Sequence, residues 1–237
     1  MSRCHGRRWA LVGMLVLMLG GLTGCSILAP FYFVAVLAGM DDRIPPPLEI
    51  PEDPAAKKAD TPERILVVTY VPESQQIELG RIDRDLNEVI ASRLALGFYA
   101  ENKNFAVIYA DKLADWQDEH PDWRSVDANE IGRTFKADYV IYIEVSDLTY
   151  FGHGSGRTLL QGKANLMVSV IRVGPDRGER LHSQKLLSVE YPTGRFYMAT
   201  EKPFKNFRHE FLQHIAERVA WLFLPHATGD EFGRDPI

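Results

Sequence analysis

The chain contains several apolar runs of strand length from residue 64 onwards. Residues 64–70, 105–109 and 138–145 are each almost continuously apolar, which is typical of strands covered on both faces. Segments with helical spacing separate these runs, so the pattern predicts two strand–helix–strand crossovers and three parallel strands.

The pattern changes after residue 163. Apolar and polar residues alternate strictly over residues 163–173, which predicts a strand with only one buried face. A turn at 174–178 and a second alternating segment at 181–189 predict a return strand. The two strands should therefore form an antiparallel hairpin.

Four segments predict helices; the first and last have apolar stripes at helical spacing, and the second is polar with Trp116 as its large apolar anchor. The first covers residues 82–94 and is followed by Gly97, which we interpret as its stop. The second covers 111–120, and the third begins at Asp127, a good helix cap. The last segment, 204–223, has the strongest apolar stripe and predicts a long C-terminal helix.

This order of elements predicts an α/β fold. We expect a two- or three-layer sandwich around a mixed sheet of about five strands, with a parallel N-terminal part and an antiparallel C-terminal hairpin. Residues 63–226 should form a single α/β domain, and residues 227–237 a loose polar tail.

The N-terminal segment predicts export. Three arginines in the first eight residues precede a charge-free apolar stretch over residues 9–40. Within it, Leu22-Thr23-Gly24-Cys25 resembles the lipobox of bacterial lipoproteins. The resemblance implies that residues 1–24 are a signal peptide cleaved after Gly24, that diacylglycerol is attached to the Cys25 thiol, and that the new amine is acylated.

An acylated Cys25 would carry two or three chains, such as palmitate, and two are enough for stable attachment to a bilayer. The arginines stay in the cytoplasm, so the rest of the chain lies on the extracytoplasmic side. We therefore expect a lipid anchor in the cell membrane or the outer membrane. By analogy with lipoprotein sorting, Ser26 after the cysteine favours the outer membrane.

An uncleaved signal anchor is the alternative interpretation. Residues 9–40 exceed the roughly 20 residues that span a bilayer, so the protein could instead be a single-pass membrane protein. Gly20, Gly21, Gly24 and Pro30 weaken a continuous helix there.

Two segments separate the lipidation site from the domain. Residues 25–40 are apolar and aromatic, so they either rest in the membrane surface or pack on the domain. Residues 41–62 contain six prolines among charged residues and alanines, which predicts an extended tether that adds nothing to a core.

Composition excludes several function classes. The chain has two cysteines, Cys4 and Cys25, so a mature domain has no disulfide, thiol nucleophile or thiolate metal site. The formal net charge is −5, and removing the three N-terminal arginines makes it more negative. We therefore expect no nucleic-acid binding.

Polar candidates for chemistry are few. Asp138, Glu144 and the loop 152–156 could form the site of an extracytoplasmic enzyme or small-ligand binder. That loop, Gly152-His153-Gly154-Ser155-Gly156, lacks the G-x-S-x-G spacing and the following helix of a nucleophile elbow, so we interpret it as a connection between antiparallel strands. Lys163 or Lys185 on a neighbouring strand would explain Glu144.

Metal and cofactor binding are not expected. Glu210 and His214 share one face of the last helix, whereas His209 lies on another. No third ligand is identifiable from the sequence.

Aromatic and basic residues mix between Tyr191 and Phe207. Rigid rings beside arginine suit protein–protein contacts, so Tyr191, Arg195, Phe196 and Tyr197 are candidate contact residues. The alternative is that they only cover the sheet.

The domain also resembles a group of envelope lipoproteins. The element order, the strand at 64–70 and the strand opening Ala137-Asp138-Tyr139-Val140-Ile141 are similar to those of lipoprotein activators of penicillin-binding proteins, the curli-secretion lipoprotein and the N-terminal domain of the Tol-system propeller protein. The resemblance implies a noncatalytic module that binds or assembles envelope proteins, and it assigns no functional residue.

Overall fold

A computed structural model describes residues 43–58, 61–176, 178–182 and 184–227, without the side chains of residues 57, 58, 77 and 78. The predictions on the signal peptide, Gly24, Cys25 and residues 25–40 lie outside these ranges, as does the tail from residue 228. The chain divides into two units, Met1–Arg43 and Ile44–Ile237, and the main sheet with its helices belongs to the second unit.

The secondary structure alternates helices and strands in the first half and is dominated by strands in the second. The strands are β1 (Arg43–Ile44), β2 (Glu63–Tyr70), β3 (Phe105–Val107), β4 (Tyr139–Phe151), β5 (Leu159–Arg172), β6 (Glu179–Arg180), β7 (Lys185–Tyr191), β8 (Tyr197–Met198) and β9 (His226–Ala227). The helices are α1 (Pro54–Lys58), α2 (Glu73–Leu79), α3 (Ile82–Ala100), α4 (Ala110–Glu119), α5 (Ala128–Thr134) and α6 (Phe204–Ala220), with a 3-10 turn at Trp123–Ser125.

The main sheet is mixed, as the sequence predicts. Within the described residues its order is β3-β2-β4-β5, and β6, β7 and β8 lie one after another along the far edge of β5. Strand β2 runs parallel to β3 and β4, whereas β5 is antiparallel to β4 and β7. The antiparallel part begins with the long β4–β5 hairpin, which places β3 and β7–β8 at opposite edges.

Helices cover both faces of the parallel part, which makes three layers. Ile65 and Val67 point into the larger core beneath α3 and α6. Leu66 and Val68 point into a smaller core with Leu113 of α4, beside the 3-10 turn and α5. Burial on both faces requires apolar side chains at successive positions, and this explains the continuous apolar run of β2.

Gly97 does not end its helix, because α3 continues to Ala100. A Cβ at Gly97 would lie 2.0 Å from Leu224 Cδ1, so the missing side chain allows close approach of the C-terminal segment. Helix α2 was not predicted. The return strand, expected over 181–189, is β7 at Lys185–Tyr191, and the separate short strand β6 precedes it.

The prediction of an extended tether is wrong for residues 44–58. Leu48 and Ile50 are buried in the larger core, and the Leu48 N–H donates to the Leu222 carbonyl at 2.9 Å. Tyr139 Oη donates to the Pro51 carbonyl at 2.9 Å. Two apolar residues at alternate positions therefore hold this proline-rich stretch on the domain, although its composition is that of a linker.

No helix in the part of the chain that the structure describes combines the length and apolarity needed to cross a membrane.

Candidate interaction surfaces

A groove of about 770 Å³ runs along the edge of the sheet at β3. Helix α3 forms one wall and α4 the other, because the two crossovers pack on opposite faces of the sheet. Its apolar lining includes Ala91, Ala95 and Leu96 from α3, Val107 from β3, and Ala114 from α4. Small residues on both helices leave the edge strand accessible between them.

Three large exposed apolar side chains lie at this groove: Leu96 and Tyr109 line it, and Tyr99 follows Leu96 by one turn of α3. Leu96 is 68% exposed, Tyr99 84% and Tyr109 74%. Isolated exposed apolar residues are common, but a group beside an open groove is typical of a binding site. We call the groove and these three residues the β3-edge surface.

Acidic residues dominate the rim of the β3-edge surface. Glu88 and Asp111 line the groove and are exposed. Arg84 also lines it but forms a bidentate pair with Asp118, at 2.8 Å and 2.5 Å. The hydrogen bond from Arg84 lowers the pKa of the Asp118 carboxyl. The positive charge of Arg84 is thus balanced within the protein.

A second group of exposed apolar side chains lies at the opposite edge. Phe196, Met198 and Phe204 are all exposed, on or beside β8 and the start of α6. The half-buried ring of Phe151 stacks on Phe204 with centroids 5.5 Å apart, and the Arg157 guanidinium lies 5.8 Å above Phe151. We call these four apolar residues the β8-edge surface.

Three of the four predicted contact residues lie near this surface, and Tyr191 does not belong to it. Tyr191 is 1% exposed, and its ring packs beside Phe207 and Phe211. Arg195 Nη2 donates to Tyr197 Oη at 3.2 Å. Tyr191 is buried because β7 pairs with β5 beneath α6. Its ring is therefore part of the core and not of the surface.

The hydroxyl of Tyr191 has a specific acceptor. It donates to Glu210 Oε2 at 2.6 Å, and Lys202 pairs with the same carboxylate. Burial disfavours ionised Glu210, but the hydrogen bonds from Lys202 and Tyr191 outweigh it, so the pKa of this carboxyl is lowered. This network satisfies Tyr191, Lys202 and Glu210 with one another.

Asp138 and Glu144 do not form a joint site with the loop 152–156. Asp138 and Glu144 are six positions apart along the chain, about 20 Å at 3.3 Å per residue, and the loop lies beyond the other end of β4. Asp138 Oδ2 accepts the Arg64 N–H at 2.7 Å, which joins two strand ends.

Glu144 does not face the predicted lysines. Its strand neighbours are Tyr70 and Met167, whereas Lys163 pairs with Glu190 at 3.8 Å. The pairing register of β4 with β5 places Met167, and not a lysine, opposite Glu144. That register is a property of the folded hairpin, so the sequence of one strand alone does not specify it.

The loop 152–156 connects the antiparallel strands β4 and β5, as predicted. Ser155 N–H donates to the Gly152 carbonyl at 3.1 Å, and Gly154 and Gly156 have φ of 70° and 57°. Glycine is favoured at such positive φ values, so the turn itself explains these two glycines.

No group of three or more His, Cys, Asp or Glu side chains in the described ranges could hold a metal ion. His209, expected on a different helix face, nevertheless lines the same small pocket of about 280 Å³ as Glu210 and His214. Lys202 and Tyr191 already engage the Glu210 carboxylate there.

The sequence interpretation missed the β3-edge surface. The buried stripe of α3 runs through Ile82, Leu86, Ile90, Leu94 and Phe98, and Leu96 and Tyr99 lie off it. Large apolar residues outside the buried stripe of a helix were the available signal.

No protein-family model and no curated protein matches the sequence. The structure is similar to that of the hypothetical protein CT253 from Chlamydia trachomatis, with 13% identity and a TM-score of 0.38, over 68% of this chain and 96% of that one. It is also similar to lipoprotein GNA1162 from Neisseria meningitidis, with 16% identity and a TM-score of 0.37, over 66% and 99% of the two chains. A third similar structure is a PelC dodecamer from Paraburkholderia phytofirmans, with 12% identity and a TM-score of 0.37, over 68% and 89%.

Proposed function

We propose that this protein is a lipid-anchored cell-envelope protein that acts through contacts with other proteins and not by catalysis. The lipobox-like Leu22-Thr23-Gly24-Cys25 at the end of a charge-free stretch supports the anchor. Its domain lies on the extracytoplasmic side of the cell membrane or the outer membrane. The single-pass signal anchor is the competing arrangement.

The two edge surfaces support action by binding. Tyr109 and Phe196 present aromatic area to solvent at opposite edges of the sheet. Aromatic side chains bury much apolar area for little loss of conformational freedom, and they are enriched at protein interfaces.

Metabolic labelling with an alkyne fatty acid tests the anchor. We expect the full chain to incorporate label, and Cys25→Ala to lose it and to keep residues 1–24, because the thiol is the acceptor. Cys4→Ala is the matched control and should be labelled and processed normally. A Cys25→Ala protein that fractionates, migrates and labels like the parent chain would establish the signal anchor instead.

Photo-crosslinking in cells tests binding. A photoreactive phenylalanine analogue replaces Tyr109 or Phe196 in the full chain, and crosslinked products are identified by mass spectrometry. We expect discrete protein adducts at these positions and none at Thr134, an exposed residue at the end of α5 that belongs to neither surface. The same adducts at Thr134, or none at either edge, would contradict a binding role for the edges.

A further inference from the structure

The exposed apolar residues have an uneven distribution. Among the described residues, the large hydrophobic side chains most exposed to solvent lie on or beside the two edges of the sheet, and one of them, Leu186, is on the edge strand β7 itself. They are Leu96, Tyr99, Tyr109, Leu186, Phe196, Met198 and Phe204. Exposed apolar groups placed only at opposite edges are expected if each edge has a partner.

The two surfaces have net charges of opposite sign. At the β3-edge surface Glu88, Asp111 and Asp115 are exposed, against exposed Lys112, which lies 5.9 Å from the centroid of the Tyr109 ring. Exposed Arg157, Arg195 and Lys205 lie on or beside the segments that carry the β8-edge surface, against exposed Glu201, which accepts the Met198 N–H at 3.0 Å; the nearby Glu210 is engaged by Lys202. Opposite charges around two apolar patches favour one contacting the other and disfavour either contacting itself.

The backbone of β3 offers a further means of contact at the β3-edge surface. The Ile108 N–H donates to the Ile65 carbonyl, and the Asn104 carbonyl accepts from Glu63. In a parallel strand alternate residues point their backbone groups to the same side, so those of Val107 point away from β2 and into the groove. An edge strand of this kind is a template for a further strand or loop from another chain.

We propose that the β3-edge surface of one copy of this chain binds the β8-edge surface of a second copy. Because the surfaces differ and lie at opposite edges, each copy can bind two neighbours, and the assembly grows head to tail into a ring or a filament. The proposal rests on the proposed binding function and names the partner as the chain itself.

Thiol crosslinking in cells tests the arrangement on the full, anchored protein. Residues 26–237 contain no cysteine, so introduced thiols are the only ones in the exported domain. Cells producing Tyr109→Cys, Phe196→Cys or the double variant are treated with a short bifunctional maleimide. The double variant should give a ladder of dimers, trimers and larger species, because every copy carries both halves of the contact.

The single variants distinguish the symmetry of the contact. Tyr109→Cys alone and Phe196→Cys alone should stay monomeric, and coexpressing them should give one dimer band and nothing larger. A dimer from either single variant would indicate an interface between identical surfaces and would overturn the proposal.

Two controls remove trivial outcomes. Thr134→Cys, on α5 and outside both surfaces, combined with Tyr109→Cys should not crosslink, which excludes random collision on the membrane. Labelling with a monofunctional maleimide shows that each thiol is reactive, and Leu96→Cys with Met198→Cys supplies a second pair across the same contact. Reactive thiols with no ladder from either pair would refute self-association.

The two experiments distinguish failure of self-association from failure of the proposed binding function. If photo-crosslinking at Tyr109 or Phe196 captures a different protein while the cysteine pairs give no ladder, binding stands and self-association falls. If neither surface captures anything, both proposals fail.

Discussion

The ring of Phe211 on α6 lies directly against Gly162, near the start of β5. A Cβ at position 162 would come within 2.7 Å of Phe211 Cγ and Cδ1, and Tyr150 and Tyr191 pack around the same ring. The long helix can approach the sheet this closely only because β5 has no side chain there.

Gly162→Ala should therefore destabilise the domain by about 1–3 kcal/mol, the usual cost of overpacking a core. Chemical denaturation of the purified protein measures this change. The matched control is Gly152→Ala, where the nearest atom to an added Cβ is 3.5 Å away, and it should be almost neutral. Equal stability of the two variants would contradict the close approach of α6.

Asp83 forms a buried ion pair that should matter more than an exposed one. Its Oδ2 accepts Arg124 Nη2 at 2.8 Å and Gln76 Nε2 at 3.0 Å. Asp83→Ala should cost about 3 kcal/mol of unfolding free energy, because Arg124 and Gln76 lose their acceptor. Asp118→Ala, which breaks the exposed pair with Arg84, should be indistinguishable from the parent protein by the same measurement.

Glu210 should make stability depend on pH in the acid range. The folded protein lowers the pKa of this carboxyl, so its stabilising contribution is present above the unfolded value of about 4.3 and is lost as pH falls through the folded value. Glu210→Gln should cost about 1 kcal/mol at pH 7 and make thermal unfolding less sensitive to pH below about 4.3.

The control for Glu210 is Glu217→Gln, which breaks the half-exposed pair with Arg93 and should leave the acid limb of the pH profile unchanged. If Glu210→Gln has the same pH profile as the parent protein, the Lys202–Glu210–Tyr191 network does not stabilise the folded state.

Leu48 tests the docking of the proline-rich stretch. It is 4% exposed, so Leu48→Ala should cost about 2–3 kcal/mol through lost burial and the cavity left behind. Leu186→Ala removes the same atoms from a largely exposed position and should leave the melting temperature almost unchanged. A neutral Leu48→Ala would mean that residues 44–58 behave as a tether after all.

Local patterns determined much of the fold. Leu66 and Val67 point to opposite faces of β2, and both are buried because both faces are covered, so an unbroken apolar run was enough to predict a parallel central strand. The alternation of apolar and polar residues after Lys163 predicted the antiparallel half, because a strand with one buried and one solvated face is typical of antiparallel sheets. The lipobox-like motif is local as well, because it is read as a linear segment and needs no fold.

Tertiary structure alone decided which apolar residues are covered. Tyr191 and Phe196 belong to the same aromatic stretch, yet the first is buried beneath α6 and the second is exposed. Leu48 lies in a linker-like segment and is in the core, whereas Leu96 lies in a regular helix and is in solvent. Sequence periodicity indicates which side chains are suited to burial. Whether a given side chain is buried depends on the residues that the rest of the chain packs against it, so burial is a property of the tertiary fold.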